Sequence, residues 1–509
     1  MAPVLVGVLA CVAATTVADQ PLKVLFYRAA AVGLIVTALQ SAYPKRILLF
    51  FWAATLTYNR NYFVDALGNH GSYGLYWSPA DVFLAALLGL WAFEAIVQKR
   101  APVAKGLRLW PWFLPFAAAC VISMVVAEHP EWAAFELTRV LRVALIFAYV
   151  RCNVRREEFW ACIAGLAVAI LLQSALSVQY VVTGRRFGVT AVLGLSPGGE
   201  RLQAATSGVD ANLGFRRGEG TFGHPNTLAI YGLLVGPLFV ALGLAAKESR
   251  TRLVAGAAGL AAIGAVASAL SRTSWVITAG QLFVLVILLL LFARVSARRM
   301  LGLAAVVALA GSLVLAPLLP RIQQRFFGNF SDSVDFRLRH NAIALEIWSG
   351  SPVFGIGLGN YSNTLSKYDL EEVTIFLDLG EEVRTALGIR ATAWVHNMYL
   401  LMLSETGLVG LAGFVIFLAG GLITAARGAW RASGDVQLVS IGLIVGMLGV
   451  YVHGLQESAL WIDPILYSYA LAVGLAAVAI ECSSRGYLAP RSIREVFSGA
   501  PSGRPMMES

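Results

Sequence analysis

The chain is built from apolar runs, most of them near twenty residues long, divided by short segments that carry arginine and lysine. A helix needs about 20 apolar residues to cross a bilayer. Inside lipid, only helices and closed barrels satisfy their own backbone. Runs near 3–18, 22–42, 46–57, 79–97, 109–127, 135–151, 159–183, 227–246, 252–270, 273–293, 300–319, 397–424, 436–455 and 463–481 qualify, the first three least strongly. They predict an all-α polytopic integral membrane protein of about 12 to 14 spans. Composition agrees: of 509 residues, 58% are hydrophobic and only 13% charged, with a mean hydropathy of +0.72. A soluble domain carries about 25% charged residues. That excludes a water-soluble globular chain, and hydrophobicity alone excludes disorder. The opening residues lack the basic n-region of a secretory signal and read as a retained first span.

Five cysteines (Cys11, Cys120, Cys152, Cys162 and Cys482) lie in or beside apolar runs, so neither a disulfide scaffold nor a thiolate metal site is expected. The formal charge of +10 is spread thinly between spans, without the clustered basic stripe of a nucleic-acid binder. It reports orientation instead. Lys99, Arg100, Lys105 and Arg108 share one loop. Alternate loops carry Arg151, Arg155 and Arg156; Lys247, Arg250 and Arg252; Arg294, Arg298 and Arg299; and Arg427 and Arg431. The tail adds Arg485, Arg491 and Arg494. The positive-inside rule makes that side, and both termini, cytoplasmic. Two long segments, 184–226 and 320–396, then face outward. All six histidines (His70, His129, His224, His340, His396 and His453) fall on or near that outer side.

Candidate functional residues gather there. Gly220-Thr221-Phe222-Gly223-His224-Pro225-Asn226 is a helix entry with proline at the first position. Free N–H groups at such an end suit an anion, with His224 and Asn226 beside it; ordinary helix entry is the plain alternative. Arg272, in Ser271-Arg272-Thr273-Ser274, sits at the outer end of a span, facing either a cavity or the interface. Arg139 and Arg142, three apart, share a helix face and could fork onto a diphosphate, or Arg139 could pair with Glu136. Arg337 and Arg339 precede the glycine-rich stretch Pro352 to Tyr361. That stretch lacks the strand and soluble βαβ unit of a nucleotide site, so it reads as a turn with close backbone packing. His396, at a helix mouth, is placed to take a proton from a hydroxyl, with Tyr399 about one turn on. No H-E-x-x-H and no outer D-x-D stands out, so no metal and no cofactor is expected.

The stretches GTFGHPNTLAIY (220–231), SRTSW (271–275), RLRHNAIALEIWSGSPVFGIGLGNY (337–361) and VHNMYLLMLSETGLVGL (395–411), in this order, resemble the O-antigen ligase and O-antigen polymerase superfamily of bacterial membrane proteins. The resemblance covers roughly 135–425. It implies a catalytic region 135–425 with periplasmic loops 184–226 and 320–396. Helices 1–134 and 426–482 and a cytoplasmic tail 483–509 flank it. It implies a membrane-embedded GT-C-type glycosyltransferase of the inner membrane that takes a glycan from undecaprenyl diphosphate at the periplasmic face, without a metal. Carried over, the essential arginines fall on Arg272 and Arg337 and the histidine on His396. The aromatic that often follows the loop arginine by four residues is Asn341 here, and Arg339 competes with Arg337 for the role.

The chemistry of those residues suits that reaction. A diphosphate leaving group needs fixed cations, which Arg272 and Arg337 supply with help from Arg139 and Arg142. His396 is the expected base, and inversion the expected outcome. His224, Asn226, Arg339 and Tyr399 complete the candidate substrate-binding set. The wording of 220–226 leans toward a polysaccharide polymerase, with a glycan acceptor, over a ligase to lipid A-core or to protein. A transporter, or a scaffold among other polysaccharide assembly proteins, is the reading from another class. The stretch 362–394 either caps the site or reads the acceptor.

Overall fold

The computed structural model describes residues 32–58, 62–65, 74–97, 110–184, 216–293, 331–361 and 395–484, with isolated positions between 316 and 364. The span expected at 3–18, nearly all of that at 300–319, much of that at 22–42, most of loop 184–226, nearly all of 362–394 and almost the whole tail lie outside the described residues. The described helices are α1 (Pro44–Thr55), α2 (Pro79–Val97), α3 (Trp110–Val126), α4 (Pro130–Asn153), α5 (Arg156–Thr183) and α6 (Pro225–Ala245). They continue with α7 (Ser249–Ser268), α8 (Arg272–Phe292), α9 (Ser331–Gly350), α10 (Met398–Arg431), α11 (Gly434–His453) and α12 (Asp463–Ser484). Among the described residues, eight helices are long and apolar enough to cross a membrane. The chain is a polytopic, essentially all-helical membrane protein. Two features were not expected: a hairpin of β1 (Tyr62–Asp65) with β2 (Gly74–Trp77), antiparallel with Tyr62 opposite Trp77, and helix α9 inside the second long loop.

Proline at or next to the first turn starts α1, α4 and α6, where its missing N–H costs nothing. Lipid offers helices no hydrophobic drive to associate, so small residues that let backbones approach decide the packing. Helix α6 shows this on two sides. A Cβ on Gly243 would strike Gly256 of α7, and one on Gly442 or Gly446 of α11 would strike the α6 backbone at Leu238 or Leu234. Helix α6 is thereby almost wholly enclosed, whereas α8 turns most of its apolar surface away from the other described residues.

One side chain repairs a backbone defect in that core. Pro237 inside α6 has no N–H, which leaves the Leu233 carbonyl four residues earlier without its helical donor. Gln281 of α8 donates to Leu233 O at 2.9 Å and to Val445 O of α11 at 2.9 Å. Three helices are joined by one amide.

Helix α10 is not continuous. Gly407 adopts φ 66° and ψ −167°, a conformation that breaks the helix and that only glycine adopts readily. Breaking a helix orphans carbonyls on one side and N–H groups on the other. The stretch after α9 supplies both partners. Ile356 N donates to Ser404 O (3.0 Å) and Gly357 N to Glu405 O (2.9 Å), while Leu408 N donates to Pro352 O (2.9 Å) and Val409 N to Val353 O (3.2 Å). A Cβ on Gly355 would strike the Glu405 backbone, and one on Gly407 the Val353 carbonyl. The glycine-rich stretch is thus a turn with close backbone packing, as its sequence context indicated. Its partner is the broken helix.

Candidate functional site

The ends of α6, α7, α8, α10, α11 and α12 opposite the arginine-rich loops converge with α9. Local bonding builds this end. Asn397 is the N-cap of α10, its Oδ1 accepting from Tyr399 N (3.0 Å) and Leu400 N (3.1 Å), the usual role of asparagine there. His396 is therefore fixed one residue outside the helix. Met398 N donates to Gly454 O (2.8 Å) and Ser458 Oγ to Val395 O (2.6 Å), which ties the start of α10 to the link between α11 and α12. A short 3-10 turn (Ala459–Trp461) completes that link.

The link carries Glu457, buried, and the candidate residues collect around it. His396 Nδ1 lies 3.0 Å from Glu457 Oε2. Asn226 Nδ2 donates to Glu457 Oε1. Arg337 Nη2, from α9, stands 3.8 Å from Oε1, an ionic contact beyond hydrogen-bond length. His224, the N-cap of α6, interacts electrostatically with Glu457, Arg217, His396 and Arg337. Burial alone would raise the Glu457 carboxyl, but His396, its hydrogen bond, His224 and Arg337 outweigh burial and hold it well below the usual carboxylate range. Glu457 is a carboxylate at neutral pH.

Behind Asn226 stands Arg217. Its Nη2 donates to Asn226 Oδ1 (2.7 Å) and its Nε to Ala269 O (2.9 Å) in the tight turn between α7 and α8. That turn includes Leu270 at φ 50°, the one non-glycine residue with positive φ among the described residues. Arg272 then opens α8, and its neighbours bond to the α11–α12 link and to the end of α11: Thr273 Oγ1 donates to Gln456 Oε1 (2.6 Å), and Ser274 Oγ lies 2.9 Å from His453 Nε2. On α9, His340 is fully buried one turn from Arg337, with its ring 6.5 Å from that of His396. Burial, helped by the charge of His396, lowers the His340 imidazole to about 4.

Of the residues named from sequence, His396, Arg337, Asn226 and His224 gather at Glu457, and Arg272 lies beside the same link. Arg339, two positions from Arg337, is exposed on another face of α9. Tyr399 donates its hydroxyl to Tyr451 O (3.0 Å). Arg139 and Arg142 belong to a different cluster. Arg139 Nη1 donates to Glu136 Oε2 (2.9 Å), and its Nε is 2.9 Å from Asp463 Oδ1. Arg142 Nη1 donates to Tyr467 Oη (3.0 Å), and its Nε is 3.6 Å from Asp81 Oδ1. Three carboxylates offset these two guanidiniums. The sequence reading missed Glu457 and Arg217. The available signal for Glu457 was an acid four residues after His453, in a short link between two spans.

These groups place a histidine against a buried carboxylate, with arginines beside them, at the end of the bundle opposite the arginine-rich loops. Residues 257–415 match the family model described as O-Antigen ligase. No curated protein matches the chain. The matched segment contains Arg272, Arg337, the clasp at Gly407 and His396; Arg217, Asn226 and Glu457 lie outside it.

Proposed function

We propose that this polytopic membrane protein of the O-antigen ligase and polymerase superfamily transfers a glycan from undecaprenyl diphosphate to a hydroxyl acceptor at the periplasmic face of the inner membrane. The supporting observation is the meeting of His396, Arg337, Asn226 and Arg217 around buried Glu457, at the end of the bundle away from the arginine-rich loops. In this reading those loops are cytoplasmic.

The acceptor hydroxyl gives its proton to His396. Its oxygen attacks the anomeric carbon, the bond from that carbon to the diphosphate oxygen breaks, and undecaprenyl diphosphate departs with the electron pair. Attack from the face opposite the leaving group inverts the anomeric centre. Arg272 and Arg337 match the charge that develops on the diphosphate, and their fork geometry suits paired phosphate oxygens. Arg139 and Arg142 are already offset by Glu136, Asp463 and Asp81, so we assign them to holding α2, α4 and α12 together rather than to the donor. The GT-C class and a polymerase, whose acceptor is a second lipid-linked glycan, are the finer parts of the proposal.

The test uses purified protein in liposomes with an undecaprenyl-diphosphate oligosaccharide. A product ladder from donor alone supports the polymerase; consumption only with an added lipid or peptide acceptor supports a ligase. His396→Ala is expected to lower transfer by at least about 100-fold, the lower range for a general base, with normal insertion. Arg272→Lys is expected to be damaging as well, since a point charge does not replace the fork. Donor left untouched by folded wild-type protein in every mixture refutes the proposal.

A further inference from the structure

The hydrogen bonds around Glu457 have a direction, set through Asn226 by a guanidinium that can only donate. Arg217 has no acceptor atom. Its Nη2 therefore fixes the Oδ1 side of Asn226 toward itself, and its Nε is anchored on Ala269 O. The Asn226 amide nitrogen must then face Glu457, whose Oε1 accepts. The remaining carboxylate oxygen, Oε2, also accepts, so the His396 Nδ1 that it meets at 3.0 Å carries the hydrogen. With Nδ1 as donor, the lone pair of the neutral imidazole is on Nε2.

We propose that Glu457 is the positioning residue of the transfer reaction: it fixes His396 in the tautomer, and the ring orientation, in which Nε2 receives the acceptor's proton. This inference rests on the reading of His396 as the base. Glu457 itself is not the base. It is buried, both of its oxygens accept hydrogen bonds, and the guanidinium of Arg337 beside it favours its charged form. It acts through His396, as a carboxylate does when it orients the histidine of a hydrolytic triad. The main-chain ties from Met398 to Gly454 and from Ser458 to Val395 hold the two residues in register, so the pair does not depend on a flexible loop.

Glu457→Gln is the informative substitution because it keeps size and disrupts direction. Asn226 and His396 Nδ1–H both require an acceptor, and a glutamine offers one acceptor and one donor. Either the Asn226 bond is lost, or the imidazole changes to the Nε2–H form, which cannot take a proton. Full-length protein in liposomes with the lipid-linked donor is expected to lose kcat by roughly 10²- to 10⁴-fold in Glu457→Gln, the range for a misoriented base, with donor KM within about threefold of wild type. Glu457→Asp restores a carboxylate and should recover at least about tenfold over Glu457→Gln. The double variant with His396→Ala should be no slower than His396→Ala alone, because the two residues act as one unit.

A folded Glu457→Gln protein with kcat within threefold of wild type overturns the proposal. So do effects that multiply in the double variant, or an aspartate as slow as the glutamine. If Glu457→Gln does not fold, nitrogen-15 histidine NMR of the wild-type protein carries the test, with His396 assigned by His396→Ala: the Nδ1–H tautomer supports the proposal and the Nε2–H tautomer overturns it. An active His396→Ala enzyme refutes instead the reading of His396 as the base, and thereby separates the two failures.

Discussion

Gly407→Ala tests whether the break in α10 organises the protein. At φ 66° and ψ −167° a side chain is confined to a region that costs about 1–3 kcal/mol. The new Cβ would also run into the carbonyl of Val353 and the backbone beside it, neither of which is the flexible end of a side chain. Four backbone hydrogen bonds hold the clasp: Ile356 to Ser404, Gly357 to Glu405, Leu408 to Pro352 and Val409 to Val353. Each contributes about 0.5–1.5 kcal/mol, and relieving the collision must lengthen at least two of them. Strain and lost bonds together give a destabilisation of about 3–5 kcal/mol. Gly280 of α8 is the matched control: it is exposed, in an ordinary helical conformation, and nothing lies near the position of an added Cβ. Gly280→Ala should be neutral or gain about 0.5–1 kcal/mol of helix stability. Denaturant unfolding in detergent micelles, followed by tryptophan fluorescence, compares the two. A Gly407→Ala protein within about 0.5 kcal/mol of Gly280→Ala would refute the reasoning, since the strain alone exceeds that gap.

Arg139→Ala should destabilise by about 3–5 kcal/mol, because it removes the ion-pair partner of the buried Asp463 and of the half-buried Glu136. Adding Asp463→Asn should recover part of that loss, and unchanged unfolding in the single variant would show the cluster to be inert. Stability should fall as pH drops from about 6.5 toward 4, because the buried His340 stays neutral to about 4 while the unfolded chain takes up its proton near 6.5. Below about 4.5 the depressed carboxyl of Glu457 acts in the same direction, its contribution being lost as pH falls toward its folded value. His340→Asn should flatten the dependence between pH 6.5 and 4.5, and an unchanged slope there would assign it to other groups.

The spans from α2 onward that fall on described residues were legible because lipid leaves a chain little choice, and α4 remained recognisable although it carries Glu131, Glu136, Arg139 and Arg142. Helix α9 was hidden because no membrane imposes apolar periodicity on it. His396, Arg337 and Asn226 were found because each stands in a patterned stretch. Glu457 stands in none; its partners come from loop 217–226, α9 and the mouth of α10, far away in sequence. The same distance concealed the partners of Arg139 and Arg142. Asp81 and Asp463, which balance them, belong to other spans, so local spacing showed two shared-face arginines and not the acids that occupy them.

The order in which the chain emerges adds a consequence of where Glu457 sits. Arg217, Asn226, Arg272, Arg337 and His396 all precede it, and synthesis proceeds from the N-terminus. The carboxylate that meets Asn226, Arg337 and His396 is delivered only when the link after α11 has reached its side of the bilayer. A partly made protein can hold Asn226, Arg337 and His396, yet lack the carboxylate at which they meet. Assembly of the centre is thereby timed to the insertion of α11 and α12, the final helical pair among the described residues.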